Sequence, residues 1–422
     1  MAGAARRDWI GLHVASLRQL AGMTQLQLAD AVAEHMGRSC TQGYVSQIEG
    51  GVKPVNSRRL LYALAAALRV DVAELTGQPI PPRSPDDLDI YAMVAPVRAA
   101  LDDPDEPTRP APLATLEHLS DRAMAARMSC NYATLRAVLP PLLADSRALW
   151  LSNQHPQAGS LFIRACVTAA LALKPVGWLD LATRLAERAE QAANILGDPV
   201  PSAAAQFTVA QCALAAGNRL RSLTVAARAA DVLETNPAGM RNESALAWHG
   251  LLNLHAALSA ASVGHADDAA RHLDTAAGVT RHVHGDPWRM EFTAANVLVW
   301  RVGVALENGT PEQAPLLARR VDQSQLRTVQ RRARLGLDAG RGAYAAGDYP
   351  AAIRWFLAAD DTANSEVRLR PSVLELVAQM VRDAPMGGSR ELAELARRCG
   401  IDPLAAGRNV GSQRPDRGPA LP

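Results

Sequence analysis

Five glycines, Gly177, Gly217, Gly264, Gly309 and Gly347, fall 40, 47, 45 and 38 residues apart in the C-terminal part of a 422-residue chain. Each sits between Ala- and Leu-rich segments of helical character, as in SVGHADDAARHLDTAA around Gly264 and AAGNRLRSLTVAARAA around Gly217. A period of this length constrains the fold strongly. One helical hairpin cannot bury its own apolar face, so successive hairpins must stack into a superhelix with a concave inner surface. Composition agrees: aromatic residues make up only 4% of the chain, apolar residues 48% and charged residues 20%, with Ala and Leu dominant. That favours helices packed on helices over a β-rich fold. The expectation is an all-α protein with a helical-repeat array over residues 113–400.

The N-terminal part, residues 1–77, follows a different pattern. Ile10, Val14, Leu17 and Ala21 form one apolar stripe closed by Gly22. Thr24 is a good N-cap, followed by Leu26, Leu28, Ala29 and Val32 at helical spacing. Thr41 opens a short helix whose apolar side is only Val45 and Ile48, leaving Gln42, Gly43, Tyr44, Ser46 and Gln47 outward. Packing gives little reason for so polar a face. Reading base edges in a DNA major groove would give one, because Gln offers donor and acceptor together. Ser57 opens a fourth helix with Leu60, Leu61, Leu64, Ala65 and Leu68 inward, and Asp71 caps a last short turn. Five short helices in so few residues make a compact bundle.

LRQLAGMTQLQLA, YVSQIEGG and LYALAAALRVDVAEL resemble, in the right order, segments of the lambda-repressor-like (Cro/C1, XRE-type) helix-turn-helix family. The resemblance implies that Gln25 meets a phosphate at the start of the helix preceding the recognition helix. It implies that Thr41, Gln42, Gly43, Tyr44, Ser46 and Gln47 touch bases and nearby backbone, and that Ser57, Arg58 and Arg59 meet the phosphate chain. The spacing from Thr24 to Thr41 is seventeen residues, longer than the family's usual interval, so a lengthened second helix and turn are expected. Net charge is only +2 for the whole chain, so basic surface must be local. One such domain would bind weakly, and a homodimer on a two-fold-symmetric operator in double-stranded DNA is the expectation.

LDAGRGAYAAGDYPAAIRWFLAAD closely resembles a tetratricopeptide repeat: Gly340, Tyr344, Gly347, Asp348, Tyr349, Ala352, Phe356 and Ala359 fit its pattern, with Tyr344 one place off the usual aromatic. Counting back nine, six and thirteen residues from the turn glycines gives the rows expected to look into the groove. The polar and ringed members singled out from these rows are Arg164, Thr208, Gln211, His255, Asn296, Trp300, Arg334, Asp338 and Arg341. The functional reading is a groove for a peptide or small-molecule effector, with Asn and Arg holding backbone or carboxylate. The other reading is of solvated faces and satisfied helix–helix contacts.

Between the two parts, residues 78–112 are Pro-rich at both ends, a connector with room for a bridging helix that is expected to hold the N-terminal domain semi-rigidly away from the rest. Residues 401–422 are Gly-, Pro- and Arg-rich and are expected to be disordered. Five widely spaced cysteines, Cys40, Cys130, Cys166, Cys212 and Cys399, argue against a disulfide framework or zinc site and for a reducing compartment. No apolar run approaches the roughly 20 residues that span a bilayer, and MAGAARRDW lacks the apolar core of a signal peptide, so a cytoplasmic protein with no membrane partner is expected. His282, His284 and Asp286, or His249 and His255, have poor spacing for a metal. Only two lysines occur, Lys53 and Lys174, which reads as coding bias. No phosphate-cradling loop, nucleophile motif or paired-carboxylate constellation is present, so neither enzyme activity nor a cofactor is expected.

The combination looks like the peptide-responsive quorum-sensing regulators. What it implies is a sequence-specific transcriptional regulator whose repeats sense an effector, mediate dimerisation, or both. The alternative is an interaction scaffold whose repeats dock a protein partner, with DNA binding secondary or lost.

Overall fold

The computed structural model describes residues 10–102, 109–153, 155–235, 242–286, 288–384 and 389–402, and among these every regular element is helical. The expectation for the tail therefore lies almost wholly outside the described residues. Five helices form the N-terminal domain: α1 (Ile10–Leu20), α2 (Gln25–Met36), α3 (Gln42–Glu49), α4 (Arg58–Leu68) and α5 (Val72–Thr76). Thr24 and Gln27 make a reciprocal capping box at the start of α2, while Thr41 and Ser57 cap α3 and α4 through their hydroxyls. Val14, Leu28, Val32, Val45, Ile48, Leu64 and Leu75 close the core. Leu26 stays outside it at 58% exposure, and Ala21 is exposed as well, so the two apolar stripes are narrower than their spacing suggests.

The array then runs through α6 (Pro85–Asp102), α7 (Leu113–Met128), α8 (Tyr132–Asn153), α9 (Pro156–Leu173), α10 (Leu179–Leu196), α11 (Pro199–Ala215) and α12 (Arg219–Glu234). It continues with α13 (Glu243–Val263), α14 (Ala266–Val279), α15 (Ala294–Glu307), α16 (Gln313–Ala318), α17 (Val329–Ala345), α18 (Tyr349–Thr362), α19 (Asn364–Arg368), α20 (Pro371–Asp383) and α21 (Arg390–Arg398). All five turn glycines adopt positive φ, from +78° at Gly347 to +102° at Gly264, a left-handed turn that side chains resist. In the hairpin α17–α18, Phe356 is fully buried and its ring lies 2.5 Å from where a Gly340 Cβ would stand. The absent side chain at Gly340 is what lets the two helices close. Pro156–Val176 is long and apolar enough to cross a membrane, contrary to the expectation that no run approaches that length, yet 78% of its apolar window is buried among other helices.

The connector is not a spacer. Pro85 starts α6, and Ile90, Met93, Val94, Val97 and Leu101 join the main repeat core against α8. The N-terminal domain is consequently drawn onto the repeats. Helix α4 explains how: RRLLYALAAAL is apolar almost all round. Its Leu60, Leu64 and Leu68 face the domain's own core, whereas Tyr62 belongs to the core of the repeats. The turn glycines provide the seat. Gly217 lies against Tyr62 and Val72, Gly264 against Arg59, and Gly177 against Gln78 and Pro79. At the far end, the backbone N–H of Ile10 donates to Glu375 of α20 at 3.2 Å. The array curls until α17 approaches α7, and the N-terminal domain closes the space inside the curl.

Candidate functional site

Two polar assemblies stand out, one on each side of α4. The first is the outer face of α3. Val45 and Ile48 are buried, while Thr41, Gln42, Gly43, Ser46 and Gln47 are exposed and Tyr44 is half-buried. The helix is held by a charge-assisted relay. Arg18 of α1 makes a two-pronged ion pair with Glu49, at 2.5 Å from Nε to Oε1 and 3.0 Å from Nη2 to Oε2. Gln25 Nε2 donates to the same carboxylate at 2.8 Å, and Gln42 Nε2 donates to Gln25 Oε1 at 2.9 Å. Glu49 is 9% exposed, so the pair is strong and its geometry fixed. The N-terminus of α3, with Gln42 oriented by Gln25, thus projects into solvent as one rigid polar surface. Gly43 leaves room beside it, since a Cβ there would meet nothing within 4 Å. The lengthened spacing is taken up by a twelve-residue α2 and a turn through Gly37, whose φ is +64°.

The second assembly lies on the opposite side, where α4 meets the repeats. Arg58, expected to meet phosphate, turns inward and pairs with Glu307 of α15 at 3.1 Å, where the carboxylate is 1% exposed. Burial opposes its charge, but Glu307 raises its pKa above the ordinary value. Arg59 folds back to donate to the Met36 carbonyl at the end of α2. Ser57 spends its hydroxyl on capping α4. In this arrangement Arg58 faces away from solvent, because α4 is docked onto a groove that supplies a buried anion, whereas the contacts of Arg59 and Ser57 stay within the N-terminal domain.

Beneath α4 lies a cavity of about 290 Å³ whose roof includes Val55, Asn56, Ser57, Arg58 and Tyr62. Of the residues expected in the effector groove, Gln211, Trp300, Arg334, Asp338 and Arg341 line it. Arg334 and Arg341 flank Asp338 at 2.6 and 3.4 Å, and Arg341 also donates to the Asn56 carbonyl at 2.8 Å. Burial works against the Asp338 charge, yet Arg334, Arg341 and Arg58 together hold its carboxyl below the usual carboxylate range.

The other four expected residues serve packing. Thr208 is buried and bonds back to the Ala204 carbonyl. His255 is fully buried, 2.9 Å from Ser222 Oγ and edge-on to Phe207; burial and then Lys174 push its pKa down to about 3, so it is neutral. Asn296 donates to the Glu291 carbonyl at 2.6 Å. Arg164 stacks over Trp288 at 4.7 Å, away from the cavity. Counting back from a turn finds one helical face, but a helix such as α13 is covered on nearly every side, so that its polar residues are buried between layers wherever they point.

Sequence reasoning missed Arg127, Lys174, Arg331, Glu366 and Arg370 in the lining. Arg370 pairs with Glu366. Lys174 donates to Gln211, and burial, with help from Arg370, Arg58 and Arg334, pushes its pKa down to about 7. Among the described residues, Arg127 donates to the Arg289 carbonyl at 3.2 Å and to Met290 Sδ at 3.1 Å. Arg331 lies 5.7 Å from the Trp300 ring with its Nε unpaired. Burial first, and then neighbouring arginines, lower both Arg127 and Arg331 to about 10. One signal was available in the sequence: Lys174 interrupts the apolar run LALKPVGW and is one of only two lysines. Among the described residues no cluster of side chains suited to a metal ion occurs.

No family model matches the chain, and no curated protein matches it. Among solved structures it is similar to Bacillus thuringiensis PlcR in complex with the peptide PapR7 and DNA, at 12% identity and a TM-score of 0.29, over 85% of this chain and 95% of that one.

Proposed function

We propose that this protein is a sequence-specific DNA-binding transcriptional regulator whose repeat domain controls the DNA-binding domain in response to an effector. The observation that carries the reading is the face of α3: a short helix, buried only through Val45, Ile48 and Glu49, that shows Gln42, Ser46 and Gln47 to solvent. Side chains with both donor and acceptor, on a helix end locked by the Arg18–Glu49–Gln25 relay, suit base edges in a major groove. Control by the repeats is supported by α4, whose N-terminus is the natural phosphate-facing end of such a domain and is here paired with Glu307. An arrangement in which Arg58 is committed to the repeats and one in which it meets DNA exclude each other. A ligand that prefers either arrangement shifts DNA affinity.

The test is selection of bound duplexes from a random pool by the purified full-length chain at moderate salt, repeated with residues 1–80. A two-fold-symmetric enriched motif is expected from the full-length chain, and enrichment of the same half-site from the fragment. If a folded fragment enriched nothing, the α3 face would not be a base reader.

A further inference from the structure

We infer that the cavity between α4 and the repeats is a binding site for a small multivalent anion, of carboxylate or phosphate chemistry, and that the anion clamps the DNA-binding domain in the docked position. The inference deepens the regulator reading by naming the effector class; the binding step itself does not require that DNA be bound.

Charge counting inside the cavity carries it. Arg334 and Arg341 share Asp338, Arg370 has Glu366, and Arg58 has Glu307. Arg127, Lys174 and Arg331 also line the space, and among the described residues none of the three has a carboxylate within ion-pair distance. Glu291, the acid nearest in effect to Arg331, is committed to the backbone N–H groups of Arg327 and Thr328 at 2.5 and 3.0 Å. Cations removed from water without partners are strongly unfavourable, and here they also repel one another. Two spare arginines and a lysine free of any carboxylate partner, set around an open space, form a receptor lacking its counter-charge.

Size narrows the class. About 290 Å³ lies at the small end of ligand pockets, which run from about 300 to 1,000 Å³. With α4 docked over it, the space suits a compact ligand. Trp300 beneath Arg331 offers a flat apolar wall, and Gln211 and Asn56 offer neutral polar groups for orientation. Because Asn56, Ser57 and Arg58 belong to the DNA-binding domain, a bound anion touches both domains at once. It stabilises the arrangement that withholds Arg58, and by reciprocity DNA lowers affinity for the anion.

The experiment uses the full chain at constant ionic strength, with sodium chloride as the reference and orthophosphate, pyrophosphate, citrate and the pentapeptide Ala-Ala-Ala-Ala-Asp as probes. Binding is read by calorimetry and by thermal unfolding. Citrate or a phosphate probe is expected to bind saturably and raise the unfolding temperature beyond the chloride reference. Citrate preferred over both phosphate probes identifies carboxylate chemistry, and the converse identifies phosphate chemistry. Arg331→Gln and Lys174→Gln are each expected to weaken binding by about tenfold or more, while leaving the unliganded protein no less stable at pH 6, where each removes a buried charge that has no carboxylate partner. No saturable binding by any small anion, binding undiminished in both variants, or binding of the pentapeptide alone would overturn the inference. The regulator reading is judged separately by the random-pool selection: anion binding without an enriched motif removes that reading and leaves the site, and a motif without anion binding does the reverse.

Discussion

The outer face of α3 and the cavity beneath α4 are polar sites of opposite design within one small domain. On α3 the charges are balanced, Arg18 against Glu49, and they serve to aim neutral amides at solvent. In the cavity, cations outnumber acids and the surroundings are largely buried. The first site is finished before its partner arrives, whereas the second is incomplete without a counter-charge. Helix α4 joins them, since one of its faces supports the core behind α3 and the other forms the cavity roof. The contrast shows how a fold this small can be both reader and hinge: the rigid surface recognises, and the electrostatically unsatisfied one responds.

The largest effect should come from removing the balance behind α3. Glu49→Ala leaves Arg18 with a half-buried, unpaired charge and frees Gln25 and Gln42. Breaking a buried ion pair by deleting one partner costs about 3–5 kcal/mol, so denaturant unfolding of the Glu49→Ala chain should show a loss at the lower end of that range, accompanied by loss of DNA binding. A change below about 1 kcal/mol would mean that the relay does not fix α3.

Next is the coupling. Glu307→Gln removes the anion that receives Arg58, on a residue 1% exposed as a side chain. A stability loss of about 2–3 kcal/mol is expected, and DNA affinity, measured by fluorescence anisotropy on the selected duplex, should rise. Affinity that stayed constant would separate α4 docking from DNA binding. Smaller still are the recognition residues themselves. Gln42→Ala and Gln47→Ala should each reduce discrimination between the selected duplex and a scrambled one by about 1–3 kcal/mol, leaving binding to the scrambled duplex and the anion response unchanged. Equal losses on both duplexes would indicate phosphate contacts instead.

Much of this was legible in the sequence for local reasons. The helix-on-helix class followed from composition and periodicity, the turn glycines from their φ requirement, and the α3 face from a helix with only two apolar anchors. Each depends on residues a few places apart. The fate of Arg58 depends on Glu307, 249 residues away, and no local pattern encodes that pairing. The same limit explains Thr208, His255 and Asn296: one and the same helical face serves a groove or bonds within a layer, and only the neighbouring helices decide which. The connector's bridging helix was legible and is α6, but its role was not: Ile90, Met93, Val94 and Val97 pack on α8 instead of standing apart as a spacer, a contact that only the distant helix decides. Lys174 was visible but unremarkable until four other chain segments converged on it.

That lysine gives the finest test of the contrast, because a proton reports whether the cavity holds its counter-charge. Lys174 faces Gln211 and Cys212 of α11, Arg58 of α4, Arg334 of α17 and Arg370 before α20. Burial keeps Cys212 a thiol, pushing its pKa up to about 11, and the arginines stay charged, so the lysine is the group that titrates near neutrality. Its pKa falls from 10.5 to about 7 on folding, so between those values the unfolded chain binds one proton more than the folded chain. Stability therefore rises with pH across that window, and below it the cost of burying the charge is fully present. An anion in the cavity favours the charged form and raises the pKa again. Citrate binding at pH 8, where the ligand is fully ionised, should take up close to one proton, and net uptake should vanish towards pH 6, where the lysine is already charged and the ligand gives up protons of its own, as read from calorimetry in buffers of different ionisation enthalpy. The Lys174→Gln chain should lose both the uptake and the extra pH slope. Proton uptake that survived in that variant would place the titrating group elsewhere, and the cavity would then owe its response to a different residue.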